Sequence, residues 1–359
     1  MRILFTDIYN AKFKMGGVEK VLFELARSVK EDYQEEVACA VNSGDLSEQL
    51  KAAGIPATEI YWPKLRTPET LRQFSKLISS FRPQVIHSHH RYLTFLLDHF
   101  FKNEAKIIHT EHLCYSNWKS FYRYGHLVTA VHESIRQNLI CSYHVPSECV
   151  VTIPNAVRLP EPNPEKLQRL KEGYSETLNR VRILFIGRLE EQKGHRYLIE
   201  AVGQLSRRHR EKIRIFLAGE GSLGKSLKEK VQREGLESSF IFLGHSTDIA
   251  ELLAFCDLLV LPSLWEGMPL VILEAYSVGK PAVASDTPGS KELIKPNETG
   301  LLVPRRDSKA IARALEQMIE RPEQIKSMGR QAQEWWSKEF SFKKMVSRYY
   351  EIYGRWKNF

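Results

Sequence analysis

The feature that most constrains this chain is an alternation that starts, stops and starts again. Short β-branched runs, among them "RILFTDI", "EVACAVN", "QVIHSH", "KIIHTEH", "LVTAVHE" and "VVTIPN", are separated by stretches with helical spacing such as "VEKVLFELARSVKE" and "PETLRQFSKLISSF". Strands that read as nearly unbroken apolar runs are buried on both faces, and a parallel sheet wrapped by helices provides that environment. The texture then changes to "PNAVRLPEPNPEKLQRLKEGYSETLNR", with four prolines and few apolar residues, the composition of a linker. After it the alternation resumes with "VRILFIG", "IRIFLAG", "FIFLG", "DLLVLPS", "PAVASD" and "GLLVP". The expected fold is therefore α/β, two Rossmann-like doubly wound parallel sheets facing an interdomain cleft. The expected division is a first domain over residues 1–160, a linker over 161–180 and a second domain over 181–340. The aromatic tail at 341–359 is expected to form a helix that packs back onto the first domain.

A chain of 359 residues with 43% hydrophobic content is long enough for two such cores. Its start, "MRILFTDIYN", lacks the apolar stretch of a signal peptide, and no segment approaches the roughly 20 apolar residues of a membrane span. A cytoplasmic location is expected, with peripheral attachment to the inner face of the membrane. The five scattered cysteines carry no metal or redox spacing and are expected to be reduced core residues. Between Tyr61 and Gly125 ten lysines and arginines stand against four acidic residues, with Trp62, Phe74, Phe81, Trp118, Phe121 and Tyr122 among them. Such a surface attracts anions, although a solvated set of helix faces would look the same, and among anionic partners a membrane is the one expected. Nucleic acid is not, since no helix-turn-helix, aromatic RNP strand or zinc module accompanies the charge.

The charged residues with chemical meaning stand where apolar runs end. Gly16 and Gly17 lie between the first strand and the first helix, where backbone amides and the helix dipole favour a phosphate, although a plain tight turn would look the same. "GRLEEQKG" places Arg188 and Lys193 at the end of a strand and the start of a helix, where the dipole disfavours cations and a bound anion would account for them. In "PSLWEGMPLVILEAYSVGKPAVASDTPG", Glu266 falls at a sheet edge and Glu274 about two helical turns later. Glu274 belongs to an otherwise apolar helix, so its carboxylate needs a partner, and a hydroxyl-rich ligand such as a ribose would supply one. Gly267, with Met268 and Pro269, would let the backbone come close to that ligand. Half of the twelve histidines fall between His87 and His112, so a metal centre built on "HSHH" and "HTEH" is a rival reading. It leaves the second half of the chain without a purpose.

The ordered set "GGVE", "GRLEEQKG", "FLG" at 242–244 and "EGMPLVILEA" resembles the family 4 glycosyltransferases, retaining enzymes of the GT-B fold that use nucleotide sugars. The resemblance implies that Gly16 and Gly17 approach the donor diphosphate and the acceptor site and that Arg188 and Lys193 clamp the diphosphate. It places Glu274 on the ribose hydroxyls, Glu266 beside the transferred sugar, and the amides of Gly267, Met268, Pro269 and Leu270 on sugar and phosphates. His245 matches the region that meets the nucleobase. His112 matches a histidine that contacts the sugar; it is preferred to His109 because it lies farther out along its strand, with His109 and Glu111 as neighbours able to exchange roles with it. His87 and His89 either line the acceptor side or cap their strand. The resemblance thus implies a hexosyl or N-acetylhexosaminyl transferase that needs neither metal nor cofactor. Its donor would be a nucleotide sugar, UDP-linked by preference, and its acceptor a cell-envelope, lipid-linked or polysaccharide glycan. A GT-B epimerase and a non-catalytic sugar-nucleotide binding protein are the competing classes. Met268 and Pro269 stand where many relatives have Phe and Gly, and Ala156 in "IPNAV" where relatives often have Gly.

Overall fold

The computed structural model describes residues 1–8, 15–60, 68–114 and 122–358. The chain divides into two compact units, Met1–Ala156 together with Phe342–Phe359, and Val157–Ser341. In the first unit the strands are β1 (Arg2–Asp7), β2 (Glu36–Val41), β3 (Ala57–Glu59), β4 (Val85–Ser88), β5 (Lys106–Glu111), β6 (Leu127–Ala130) and β7 (Val150–Thr152). Its helices are α1 (Gly17–Tyr33), α2 (Asp45–Ala52), α3 (Pro68–Phe81), α4 (Arg91–Phe101) and α5 (Glu133–Tyr143). The second unit contains β8 (Val181–Ile186), β9 (Ile213–Ala218), β10 (Phe240–Gly244), β11 (Leu258–Leu261), β12 (Ala282–Ser285) and β13 (Gly300–Val303). Around that sheet lie α6 (Pro164–Gly173), α7 (His195–Gln204), α8 (Arg207–Glu211), α9 (Gly224–Arg233), α10 (Ile249–Phe255), α11 (Leu270–Ser277), α12 (Pro288–Leu293), α13 (Ser308–Glu320) and α14 (Pro322–Glu339). The last helix, α15 (Phe342–Gly354), belongs with the first unit.

Both sheets are parallel throughout, in the orders β3-β2-β1-β4-β5-β6-β7 and β10-β9-β8-β11-β12-β13. Each order runs outward one way from its first strand and then returns to continue on the other side. The switch falls between β1 and β4 in one sheet and between β8 and β11 in the other, and connections leaving in opposite directions open a crevice at the carboxyl ends there. The central strands supply the core: Ile3, Leu4, Phe5, Val85, Ile86, Ile107 and Ile108 in the first unit, and Ile183, Leu184, Phe185, Leu259 and Leu261 in the second, have no measurable exposure. On one face of the first sheet Leu4 and Ile86 pack with Phe74, Ile78, Leu93 and Leu97 of α3 and α4. The opposite face is partly polar, with His87, Thr110 and Thr129 buried beside Phe5 beneath Tyr349 and Tyr353 of α15.

Within residues 161–180 the chain forms α6, which starts at Pro164 behind Asn163, whose side chain accepts from the amides of Glu165 and Lys166. Proline at the first helical position is pre-set for the helix and needs no N–H there. Asn163 also donates its amide to Glu251 of α10, and Lys166 pairs with Asp248, so the segment is fastened to the second unit. Of the cysteines, Cys39 and Cys256 lie in the core, while Cys114 and Cys141 are exposed and Cys149 is half-buried, which corrects the expectation that all five are core residues. The basic first half is also less of a surface than its composition implies. Phe74 and Tyr122 are buried, and Arg91 reaches inward to Glu111 beneath the rings of Tyr122 and Tyr143. Trp62, Lys64, Arg66, Trp118, Lys119 and Phe121 lie outside the described residues. Among the described residues no helix is long and apolar enough to cross a membrane.

Candidate functional site

The switch point of the second sheet gathers most of the residues singled out above. The loop after β8 carries Gly187 to Gly194, and the loop after the neighbouring β11 carries Pro262 to Pro269. The two are laced together. The amide of Leu264 donates to the carbonyl of Gln192 at 2.8 Å, and the side-chain amide of Gln192 donates to the carbonyl of Trp265 at 2.9 Å. Gly194 makes the approach possible. Its φ is +67°, and a Cβ there would collide with the carbonyl of Pro262. At this crossing Lys193 Nζ lies 2.6 Å from Glu266 Oε1, an oxygen that also accepts from Ser263 Oγ at 2.7 Å. The side chains of Lys193 and Glu266 are 17% and 8% exposed, so a largely enclosed ammonium is held at the strand ends by a carboxylate. Arg188, five residues earlier in the same loop, is exposed.

The β11 loop runs into α11, which has Pro269 as its N-cap and no acidic residue in its first turn. Its first amides therefore have no carboxylate of their own turn to answer them. Glu274 lies on this helix and is buried, as are Gly267, Met268 and Pro269. Gly289, at the start of α12, lies so close beneath the loop that a Cβ would strike the carbonyl of Gly267. On the other side of β8, the amide of Leu189 donates to Glu220 at 2.9 Å, and Glu190 accepts from both the amide and the hydroxyl of Ser222 at 3.0 and 2.8 Å. Those bonds hold the Glu190 carboxyl below the usual range. His195, the first residue of α7, is packed against Phe185, and burial together with nearby Lys193 pushes it down to about 4. It adds no positive charge at neutral pH. His245 is exposed at the end of β10, two strands from the switch point, with its amide toward Glu220.

In the first unit Gly16 caps α1, and its amide donates to Glu19 Oε2 at 3.1 Å. An amide that the sequence leaves free for a phosphate is thus engaged by a carboxylate one turn into the helix. Asp7, the last residue of β1, is buried and raised to about 7 by burial and by the charge of Glu19. The strand-end histidines separate by face. His109 and Glu111 point to one side: His109 Nδ1 meets Thr94 Oγ1 at 2.9 Å, and its Nε2 is 3.5 Å from Glu111, which Arg91 approaches at 3.2 Å. His112, half-buried one residue beyond β5, points to the other side, where its Nε2 lies 3.0 Å from His89 Nδ1. His109 and Glu111 are therefore committed to an internal ion-pair cluster, and His112 is the member of the group left at the carboxyl edge. No group of three or more His, Cys, Asp or Glu among the described residues is placed to hold a metal ion.

Four contributors escape a reading of the sequence. Ser263 and Gln192 are ordinary polar residues until the β8 and β11 loops are adjacent, and Gly194 and Gly289 show their purpose only against the carbonyls they pass. The one local signal is their place at strand ends and helix starts.

The chain also matches known proteins in sequence and in fold. Residues 15–160 match the model described as Glycosyltransferase Family 4, and residues 168–335 match that of Glycosyl transferases group 1. A relative from Escherichia coli, named UDP-Gal:alpha-D-GlcNAc-diphosphoundecaprenol alpha-1,3-galactosyltransferase, is 32% identical over 195 residues, 52% of this chain and 49% of its own length. The alpha-D-kanosaminyltransferase of Streptomyces kanamyceticus is 32% identical over 165 residues, 45% of this chain and 42% of its own. The chain spans about half the length of the curated relatives it matches. Among solved structures, HepE of Anabaena in complex with UDP is similar over 99% of this chain and 100% of its own, with a TM-score of 0.85 and 23% identity. A glycosyltransferase from Rickettsia africae covers 100% and 99% with a TM-score of 0.86 and 22% identity. Two consecutive family matches, joined to a whole-chain likeness of two parallel sheets, carry one conclusion: the chain belongs to the family 4 glycosyltransferases and has the GT-B fold.

Proposed function

We propose that this protein transfers a hexosyl or N-acetylhexosaminyl group, with retention and without a metal, from a nucleotide sugar to a cell-envelope, lipid-linked or polysaccharide acceptor. The observation that carries the reading is the Lys193 ammonium, held by Glu266 at the switch point of the second sheet, with Arg188 in its own loop and α11 following the loop of Glu266. Breaking an anomeric bond leaves negative charge on the departing diphosphate. Fixed cations and helix-start amides stabilise that charge most in the transition state. Arg188 and Lys193 take the phosphates, Glu274 takes the ribose hydroxyls, and the amides from Gly267 to Leu270 meet sugar and phosphate. Glu266 lies beside the transferred sugar and His112 touches it. Gly16 and Gly17 approach the diphosphate, and His245 the base. In the retaining scheme a phosphate oxygen of the leaving group takes the acceptor's proton, so no metal-bound base is needed.

A UDP-linked donor is supported by the solved complexes of HepE with UDP and with UDP-glucose. A lipid-linked acceptor is supported by the activity for which the Escherichia coli relative is named. A membrane-facing role rests on the net charge of +9. Calorimetric titration with UDP, GDP and ADP tests the donor. UDP is expected to bind best, and Arg188→Ala and Glu274→Ala are each expected to weaken it by about 1–3 kcal/mol, the worth of a charge-assisted hydrogen bond. Unchanged affinity in both variants would overturn the reading.

A further inference from the structure

The first sheet has a switch point of its own, between β1 and β4. In a parallel ladder, residues level with one another point to the same face, and every second residue shares it. His87 is level with Ile108, so His87 and His89 of the β4 end face the same way as Thr110 and His112 of the β5 end. The inner ring of this set is fully engaged: His87 Nδ1 meets Tyr353 Oη at 2.7 Å and its Nε2 meets Thr110 Oγ1 at 2.6 Å. The ring of His89 packs 4.4 Å from that of His87, which fixes its plane. His89 in turn contacts His112 through Nδ1 and Nε2, 3.0 Å apart. Burial pushes His112 down to about 4 and His89 well below its usual value, and neighbouring histidines add to the effect in both. Both rings are neutral near pH 7, and each carries one N–H.

One of the two nitrogens must donate, and burial decides which. His89 Nε2 is buried and has no hydrogen-bond partner among the described residues. If His112 donated, His89 would have to carry its only proton on that nitrogen, an enclosed N–H with no acceptor. Orphaned buried donors are rarer than under-satisfied acceptors. The alternative leaves only a bare lone pair there. We propose that His89 is a positioning residue: it donates its Nδ1–H to Nε2 of His112 and so fixes His112 as the Nδ1–H tautomer. His112 then meets a substrate oxygen as a hydrogen-bond donor and not as a base. The inference rests on the proposed function for the statement that His112 touches substrate, but the tautomer itself does not depend on it.

The test uses the full-length protein with 15N-labelled histidine and long-range proton–nitrogen spectra, the signals of His112 being those lost in His112→Gln. The expected result is a protonated Nδ1 and an unprotonated Nε2. His89→Asn, whose amide nitrogen stands near the place of Nδ1 and still donates, is expected to keep that tautomer. His89→Asp, read at pH 8 where its carboxyl is ionised, can only accept, and is expected to move the proton of His112 to Nε2. It should also lower UDP release from UDP-glucose about tenfold, the worth of one neutral hydrogen bond, with UDP affinity unchanged and His89→Asn restoring the rate. His112 protonated on Nε2 in the unaltered protein, or the same tautomer in both variants, would overturn the proposal. Because the tautomer is read without substrate, that failure is distinct from loss of the Arg188 and Glu274 effects on UDP, which would overturn the function.

Discussion

Glu266→Gln separates the two things the Lys193–Glu266 contact does. In the free protein the carboxylate is the counter-ion of a mostly enclosed ammonium, 2.6 Å away and braced by Ser263. Glutamine keeps the shape and one acceptor oxygen but removes the charge. Breaking a fully buried pair costs about 3–5 kcal/mol, and partial exposure with a retained hydrogen bond reduces that to about 2 kcal/mol here. In a unit the size of Val157–Ser341 that is a fall in Tm of roughly 4–8 °C. The diphosphate should reverse the sign. It brings its own negative charge to Lys193, and in the variant it no longer faces a carboxylate beside it. Two like charges about 6 Å apart at an effective dielectric between surface and bulk repel by about 1 kcal/mol, so UDP should bind roughly fivefold tighter to the variant. The stabilisation by saturating UDP in a thermal melt should therefore be larger in Glu266→Gln than in the parent, while turnover falls. If the free variant melts at the parental temperature and UDP binds more weakly, Glu266 is not the counter-ion that the diphosphate replaces, and the reasoning fails.

Gly289→Ala should cost about 1–3 kcal/mol and weaken UDP binding at the same time, because its methyl must push aside the carbonyl of Gly267 and with it the start of α11. Urea unfolding and calorimetry check the pair, and a variant stable as the parent with parental affinity would refute the contact's importance. Acid should unfold the first unit early. His90 and His112 are each held down to about 4 from a usual 6.5, mainly by burial, so the unfolded chain binds protons that the folded one refuses. The contribution of these two is full above pH 6.5 and is lost as pH falls toward 4, by about 3 kcal/mol for each at the end of that window. His87 and His89, held down in the same way, add to the loss, and Asp7, raised to about 7, opposes it by taking up a proton in the folded state over the same range. Urea midpoints that stay flat from pH 7 to 4 would contradict it.

The alternation was legible because each central strand is buried on both faces and writes itself as an apolar run. β3 was not, since Ala57–Glu59 is a three-residue edge strand whose side chains reach solvent. α6 was hidden by its own start signal: Pro164 after Asn163 begins a helix, but in a stretch with three other prolines it reads as a break. The positions of Arg188, Lys193, Glu266 and Glu274 at strand ends and on α11 were legible for the same reason as the strands, since a charge directly after an apolar run marks the point where the chain leaves the sheet.

Partnership between those residues was not legible, and the histidines show why. In sequence, "HSHH" and "HTEH" look like two halves of a metal centre, because spacing along a strand is all that can be read. In the sheet, the register of β4 against β5 sends His87, His89 and His112 to one face and His109 with Glu111 to the other, so the two motifs do not close into one cluster. The partners that then take up the ring nitrogens of His87 are Thr110 and Tyr353, the latter on a helix 266 residues away. Lys193 and Glu266, 73 residues apart, meet by the same rule, because β8 and β11 are neighbours only through the reversal of strand order. A local pattern gives the edge at which a side chain emerges. Which side chain it meets there is set by strand order and register, and the chemistry of both switch points depends on that second choice.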